Sequence, residues 1–241
     1  MKILIFIPTL NEVGTISELL MLINKLHPTL DILVVDDNSN DGTLHALQQL
    51  KSRALPIEIV VRPSKMGIGS AHLFAINYAF DNNYSLIITM DGDGAHEPKS
   101  IKNLLSFAQN NDLVIGSRYL QKNSLIEWNV FRKSLTHIIH LVTWKCLGLN
   151  YDNSSAFRCY NLTRLTKQSF AKINSSGYDF FFESIFVLSK NQRIKMTQIP
   201  IFLPARTYGN SKLNIKLALI ALKTLVRLFF TRVISRKKYI V

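Results

Sequence analysis

Two acidic residues, Asp91 and Asp93, stand on either side of Gly92 just after the apolar run Leu86–Thr89. Two neighbouring carboxylates repel each other unless a cation lies between them, and their oxygen atoms suit a hard ion such as Mg²⁺ or Mn²⁺. A bound ion of this kind would in turn hold a diphosphate. The segment therefore predicts a site for a divalent metal and a diphosphate, with Asp91 and Asp93 as the metal ligands.

Polar or glycine-containing segments follow other apolar runs of the chain as well. They are 8–12, 36–43, 66–71 and 116–119. Each has an ordinary structural interpretation, since Asn-Asp-Gly favours a turn, glycine permits tight turning and acids cap helices. Segment 66–71 also lacks the Walker A pattern and the third glycine of a dinucleotide fingerprint, which argues against ATPases of the P-loop class and NAD dehydrogenases.

The apolar runs themselves predict the elements that position these segments. They are Ile3–Ile7, Ile32–Val35, Ile57–Val61, Leu86–Thr89 and Leu113–Ile115. Continuous β-branched runs are typical of strands covered on both faces, and their alternation with segments of helical spacing predicts an α/β fold with a parallel, doubly wound sheet. Because ligands bind beyond the carboxyl ends of such strands, the polar segments should meet at one edge of the sheet.

Beyond residue 120 the chain becomes basic and its helical segments lengthen. Residues 1–120 carry 9 basic and 12 acidic side chains, whereas residues 121–241 carry 20 and 4. Helices are predicted over Leu125–Leu147, Tyr178–Lys190 and Leu213–Ile234, with a strand within Ile194–Leu203. The asymmetry of charge indicates a phosphate or a lipid surface as partner of the second half, and no nucleic-acid-binding motif supports a nucleic-acid partner.

In combination, these segments resemble the family 2 glycosyltransferases of the GT-A fold, and among them the polyprenol-phosphate sugar transferases of the dolichol-phosphate mannose synthase type. The resemblance runs from residue 3 to about residue 230 and is carried by the segments 8–12, 36–43, 91–93, 116–119, 152–158 and 206–212. It implies a Rossmann-like, mainly parallel sheet with helices on both faces and C-terminal amphipathic helices. It also implies a metal-dependent, inverting transfer of a hexose, with mannose favoured, from a nucleotide-diphosphate sugar to a polyprenyl or dolichyl phosphate.

The same resemblance implies roles for individual residues. The implied nucleotide-sugar site consists of Pro8, Leu10, Glu12, Val35, Asp37, Asp91, Gly92, Asp93, Arg206 and Lys212. The residues implied to bind the acceptor phosphate are Arg118, Arg132 and Thr136. The implied catalytic residues are Asp93, Arg118, Arg206 and Lys212, and the implied cofactor is Mg²⁺ or Mn²⁺. GDP-mannose is the favoured donor, with a UDP-sugar as the alternative.

Three positions depart from the family pattern. Ala95 stands where a Gln or Ser commonly helps to hold the metal, and Ala156 stands where a Gly usually precedes Phe-Arg. Leu10 replaces an aromatic residue. These departures leave the identity of the donor base and sugar open.

The expected organisation is a GT-A catalytic domain over residues 1–211 and a basic, amphipathic membrane-interface segment over 212–241. The catalytic domain divides into a nucleotide-sugar half, 1–120, and an acceptor half, 121–211. No run reaches the roughly 18 uninterrupted apolar residues of a spanning helix. We therefore expect peripheral attachment to the cytoplasmic side of a membrane, which leaves room for a membrane-anchored partner protein. The alternative is an ordinary amphipathic helix packed on the domain.

A second function fits the same family. The chain would then add a sugar to a saccharide acceptor in surface-polysaccharide or glycolipid assembly, and a carboxylate base, Asp152 or Glu183, would deprotonate the acceptor hydroxyl. A lipid phosphate is already anionic and requires positioning and charge screening instead.

His137 and His140 are interpreted as ordinary helix residues rather than metal ligands, because no third ligand lies near them in the sequence.

Overall fold

A computed structural model of the chain describes residues 1–53, 55–122, 124–125, 128, 130–204 and 215–237. The strands are β1 (Ile3–Thr9), β2 (Asp31–Asp36), β3 (Ile57–Val61), β4 (Leu86–Thr89), β5 (Leu113–Ser117), β6 (Arg158–Asn161) and β7 (Met196–Pro200). The helices are α1 (Ile16–Leu26), α2 (Thr43–Ser52), α3 (Ile68–Asp81), α4 (Ile101–Ala108), α5 (Val130–Leu147), α6 (Lys167–Phe170), α7 (Phe180–Ser189) and α8 (Ile215–Lys237). Every apolar run predicted to be a strand is one.

The seven strands form one sheet in the order β3-β2-β1-β4-β6-β5-β7. All neighbouring pairs are parallel except those of β6, which runs antiparallel to β4 and β5. The first residue of β6, Arg158, pairs with Thr89 and Ile115 near the carboxyl ends of β4 and β5. The connection from β5 therefore stays at that edge, so β6 starts there and must run in the opposite direction.

Helices cover both faces of the sheet, as the sequence predicted. One core contains side chains of α1, α2 and α4, such as Leu20, Leu47 and Leu104. The other contains side chains of α3, α6 and α7, together with Leu147 of α5 and Leu228 of α8. Because successive strand residues point to opposite faces, Ile5 joins the first core and Phe6 the second.

The predicted start of α5 was wrong. The helix begins at Val130 rather than at Leu125. Leu125 and Trp128 have helical spacing, but they are buried with Ala95 and Leu203 in a small separate cluster. Their apolar character therefore reflects packing over the loop after β4 and not the face of a helix.

Helix α8 packs one side against the domain and exposes the other. Thr224 and Leu228 are buried, whereas a series of large apolar side chains is exposed: Leu219, Ile220, Leu222, Val226, Phe229, Phe230, Val233 and Ile234. Neighbouring α5 exposes Ile138, Ile139, Leu141, Val142 and Trp144. Among the helices described, none is long and apolar enough to cross a membrane.

Candidate functional site

A pocket lies beyond the carboxyl ends of β1, β2 and β4, where the sequence predicted a ligand site. Its lining includes the predicted residues Pro8, Leu10, Glu12, Asp37, Asp91, Gly92 and Asp93. Val35 differs from this expectation, because its side chain is buried in the core beneath the sheet edge. Arg206 and Lys212 lie outside the described residues.

Asp36 is the last residue of β2 and Asp37 follows it, but the two carboxylates have different partners. Asp36 is fully buried and accepts hydrogen bonds from Thr9 Oγ1 at 2.8 Å, Ser39 N at 2.8 Å and Ser39 Oγ at 2.6 Å. It therefore shapes the turn after β2. Asp37 lines the pocket, where its carboxylate pairs with Arg62 and accepts a hydrogen bond from Gly67 N at 3.0 Å.

Arg62 is a pocket residue that the sequence analysis missed. It directly follows β3, and its guanidinium is buried against Asp37. Two of its nitrogens also donate to Ser70 Oγ at 2.7 Å and to Gly67 O at 2.9 Å. A buried arginine paired with one carboxylate and bonded to a loop carbonyl holds the start of α3 against β2 and β3. A basic residue directly after a strand run was the signal that could have revealed it.

The Asp91–Asp93 segment reaches the pocket through a close approach of backbone to β1. A Cβ on Gly92 would lie 3.2 Å from Pro8 O and from Thr9 Cγ2, and Gly92 O accepts a hydrogen bond from Thr15 Oγ1 at 2.9 Å. Glycine therefore lets this turn pass against the end of β1. The neighbouring carboxylates are brought to the pocket as a consequence.

The two carboxylates of this segment have different surroundings. Asp93 is buried, and its Oδ1 accepts a hydrogen bond from Ala95 N at 3.0 Å. Asp91 is more exposed, and its Oδ2 lies 3.5 Å from Nε2 of buried His96, whose ring stacks on Phe157. Across the described ranges, no group of three or more His, Cys, Asp or Glu side chains is arranged to hold a metal. The pair of carboxylates is a hard donor set that fits a divalent ion whose remaining ligands come from a diphosphate or water.

The loop before α7 also lines the pocket, through Gly177 and Tyr178. It packs tightly against Gly67 and the first turn of α3. A Cβ on Gly69 would lie only 2.6 Å from Phe180 Cβ and 2.7 Å from Gly177 O. Ser70 N donates a hydrogen bond to Ser176 O at 3.1 Å. The glycines of segment 66–71 are therefore needed for the contact between two loops.

Arg118 lies at the end of β5 beside the pocket and is held by a buried carboxylate. Its Nε donates to Asp152 Oδ2 at 2.8 Å and its backbone N to the same oxygen at 3.1 Å. Burial alone would lower the pKa of Arg118, but the carboxylates of Asp152 and, more weakly, Asp91 raise it above its usual value. Arg118 therefore stays protonated, and the carboxylate of Asp91 is near enough to interact with it.

Thr136 is another of the residues implied to bind the acceptor phosphate. It is linked to the neighbourhood of Arg118 by Tyr119, the residue that follows Arg118. Tyr119 Oη donates to the carbonyl of Thr136 at 3.2 Å, and its ring stacks on His140 with 4.0 Å between centroids. Burial lowers the pKa of His140, and the opposing effect of the Asp152 carboxylate is weaker. The side chain of Arg132 lies outside the described part of the molecule.

Neither of the carboxylates suggested as a base is an isolated acid. Asp152 is fully buried and bonds to Arg118, and its other oxygen accepts from Ser154 Oγ at 3.2 Å. Glu183 is 1% exposed and pairs with Arg227 of α8 at 2.5 Å. A base needs a carboxylate that can take up a proton beside the substrate, and both of these are instead committed to a neighbouring cation.

The sequence profile described as glycosyl transferase family 2 matches residues 4–172. An undecaprenyl-phosphate mannosyltransferase of Micrococcus luteus is 30% identical over 215 residues, which cover 89% of this chain and 88% of that protein. A polyprenol monophosphomannose synthase of Mycolicibacterium smegmatis is 30% identical over 217 residues, which cover 88% of this chain and 81% of that protein.

Solved structures confirm the GT-A fold. A glucosyl-3-phosphoglycerate synthase of Mycobacterium tuberculosis, in complex with Mn²⁺, UDP-glucose and phosphoglyceric acid, has a TM-score of 0.66 at 16% identity. The match covers 95% of this chain and 79% of that one. A mannosyl-3-phosphoglycerate synthase of Rubrobacter xylanophilus has a TM-score of 0.66 at 17% identity, covering 99% and 75%. Since the family profile spans more than half of the sequence and both relatives align over most of it, this chain belongs to glycosyl transferase family 2.

Proposed function

We propose that this chain transfers mannose from GDP-mannose to a polyprenyl phosphate, with inversion at the anomeric carbon. The observation that carries the proposal is the pocket that gathers Asp37, Asp91 and Asp93 next to Arg118. The names of the two relatives support the polyprenyl-phosphate acceptor and mannose as the sugar. GDP as the nucleotide follows the family resemblance in the sequence, and a UDP-sugar, which one structural neighbour binds, is the alternative.

In this proposal the donor occupies the pocket at the sheet edge. Asp37 and Glu12 would contact the nucleoside, and Asp91 and Asp93 would hold Mg²⁺ or Mn²⁺ against the diphosphate. The Mn²⁺ complex of a neighbour with the same fold supports a divalent ion. When bound, this ion supplies positive charge that stabilises the leaving diphosphate. Arg206 and Lys212 are proposed to add charge to the same phosphates.

The acceptor phosphate is proposed to lie between Arg118, Arg132 and Thr136. Arg118 is fixed and protonated by its contact with Asp152, so it can orient an anionic oxygen without rearranging. The phosphate oxygen attacks the anomeric carbon as the bond to the diphosphate breaks, which inverts the configuration. Because Asp152 and Glu183 are both paired with arginines, the geometry supports a phosphate nucleophile over a hydroxyl that needs a base.

A panel of radiolabelled nucleotide sugars tests this function directly. The protein would be incubated with polyprenyl phosphate in vesicles and with Mg²⁺ or Mn²⁺, and the products extracted into organic solvent. We expect label from GDP-mannose in the organic phase and a β-linked product by anomeric NMR. Label found only in water-soluble or polymeric product would support the saccharide acceptor, and a product of retained configuration would contradict direct displacement.

Arg132→Ala is expected to weaken use of the acceptor. Removing one of the proposed phosphate-binding cations should raise the KM for polyprenyl phosphate about tenfold, since a charge-assisted hydrogen bond contributes roughly 1.5–3 kcal/mol. The KM for the donor should stay within about twofold. The control is Lys133→Ala, which removes the adjacent basic residue of the same helix. An equal effect of both substitutions on the acceptor KM would show that Arg132 acts only through the general positive charge of the helix.

We also propose that α5 and α8 attach the protein to the cytoplasmic side of a membrane, with segment 212–241 as the interface and residues 1–211 as the catalytic domain. The exposed apolar side chains of both helices support this, together with the exposed cations Lys216 and Lys223. In flotation assays we expect binding to vesicles that contain anionic lipid, and less binding when Leu222 and Phe230 are both changed to Ser. A protein that binds no vesicle by itself would instead favour attachment through a membrane-anchored partner.

A further inference from the structure

Part of the wall of the donor pocket is a loop, residues 174–178, that we call the wall loop. Gly177 and Tyr178 of this loop line the pocket. Its carbonyl at Ser176 accepts a hydrogen bond from Ser70 N, and its backbone packs against Gly69 at the start of α3. The position of the wall loop therefore sets the width of the pocket on that side.

Glu183, from the first turn of α7, fixes the beginning of the wall loop. Its Oε2 accepts hydrogen bonds from Asn174 N at 3.1 Å and from Ser175 N at 2.7 Å. A carboxylate that is 1% exposed must be compensated by hydrogen bonds and by a cation. The cation is Arg227 of α8, whose Nη2 lies 2.5 Å from the other carboxylate oxygen, Oε1.

Helix α8 reaches the same region at two further points. Thr224 Oγ1 donates a hydrogen bond to Asp179 Oδ2 at 2.8 Å, just after the wall loop. Closer to its N-terminus, Leu217 lines the pocket itself. One side of α8 thus contacts Asp179 and Glu183, the two acids that follow the wall loop, and also lines the donor pocket.

We propose that the Glu183–Arg227 pair is a positioning device for donor binding: it holds the wall loop in place from α8, so nucleotide affinity depends on an arginine that does not line the pocket. The proposal rests on the proposed function only in taking a nucleotide as the ligand. Without Arg227 the buried charge of Glu183 would lose its compensating cation. Its carboxylate would then reorganise towards water, which weakens its hold on the amides of Asn174 and Ser175.

The test compares Arg227→Met with Arg232→Met on the same helix. Arg232 donates to the carbonyls of Lys145 and Cys146 at 3.1 and 2.9 Å and so caps α5, whereas Arg227 pairs with Glu183. Binding of GDP and of UDP would be measured by calorimetry with Mn²⁺, without any acceptor. For whichever of the two nucleotides binds the wild type more tightly, we expect Arg227→Met to lower the binding affinity about tenfold, or by roughly 1.4 kcal/mol. We expect Arg232→Met to leave that affinity within about twofold, and Arg227→Lys to restore part of the loss.

A second substitution separates positioning from general destabilisation. Glu183→Gln keeps an oxygen for the two amides but removes the charge that needs Arg227. The double variant Arg227→Met/Glu183→Gln should therefore bind nucleotide more tightly than Arg227→Met alone, which is a coupling that independent structural damage would not produce.

Hydrogen exchange supplies a readout that does not depend on any ligand. In Arg227→Met the amides of Asn174 and Ser175 should exchange faster than in the wild type, and in Arg232→Met they should not. Unchanged exchange and unchanged nucleotide affinity in Arg227→Met would overturn the proposal, as would an equal loss in Arg232→Met. Failure of the wild type to bind either nucleotide would count against the proposed function, while the exchange comparison would still decide the role of the pair.

Discussion

Asp93→Asn is expected to lower the rate of sugar transfer by at least about 100-fold while the protein remains folded. When one of two carboxylates that hold a divalent ion becomes an amide, the protein supplies only half of the negative charge that binds the ion. The ion is then held less firmly, and the leaving diphosphate is stabilised less. The fold should tolerate the change, because an Asn oxygen can still accept the hydrogen bond that Asp93 receives from Ala95 N. The isosteric side chain also leaves no cavity.

Transfer of label to the lipid product, measured over a range of Mn²⁺ concentrations, checks this expectation. Asp81→Asn is the matched control, since Asp81 is an exposed acid at the end of α3 that pairs with Lys167. Thermal unfolding of both variants should resemble that of the wild type. Full activity of Asp93→Asn at low Mn²⁺ would remove Asp93 from the metal site.

His72→Leu is expected to remove a large part of the loss of folding stability between about pH 6.5 and about pH 4.5. His72 is fully buried among the rings of Phe6, Phe180 and Phe181, with centroids 5.0 to 5.1 Å away. Neither ring nitrogen has a hydrogen-bond partner within the part of the chain that the structure describes. Burial, opposed by the carboxylate of Asp91, lowers the pKa of His72 to about 3 from the usual 6.5.

The sign of the pH effect follows from this depressed pKa. Between about pH 6.5 and pH 3 the unfolded chain protonates His72 and the folded protein does not, so folding stability falls on acidification by up to about 1.4 kcal/mol per pH unit. Above about pH 6.5 this contribution is constant. From pH 6.5 to about pH 4.5 the wild type should lose roughly 2 to 3 kcal/mol more than His72→Leu.

Urea unfolding at the two pH values measures the difference. His45→Leu, which removes an exposed histidine of α2, serves as the control and should keep the wild-type slope. Leu is close to His in volume, and it removes two unsatisfied nitrogens, so the variant should be at least as stable as the wild type at neutral pH. Parallel pH profiles for the wild type and His72→Leu would show that the ring is protonated or hydrated in the folded state.

The sheet and half of the pocket could be predicted from the sequence, because short local patterns indicate the strands and the polar residues that follow them. The run Ile57–Val61 is a strand over those same residues, since a short segment rich in β-branched residues favours a strand. It lies at an edge of the sheet, however, and Glu58 and Val61 are exposed, so β3 is not covered on both faces. The pocket residues on β1, β2 and β4 followed from one rule, that ligands bind at the carboxyl ends of parallel strands. Asp37 and Asp93 were found in this way.

The rest of the pocket depends on tertiary contacts that leave little local trace. Tyr178 and Leu217 join it from the loop before α7 and from α8, far along the chain from the strand ends. Glu183 was suggested as a carboxylate base for the alternative function, but the structure shows it bonded to loop amides and to Arg227. Composition and spacing cannot distinguish a free carboxylate from one with three partners, because that difference lies in which elements pack together.

The place of β6 in the sheet has a consequence for how the protein must be made. Among the strands described, β5 pairs only with β6 and β7, although it leaves the ribosome before either of them. The nascent chain therefore carries β5 and one side of β4 as open edges until Arg158–Asn161 has been synthesised and has inserted between them. Open strand edges can pair with other chains. The acidic half is therefore prone to aggregation until the ribosome has passed beyond it and β6 has been made.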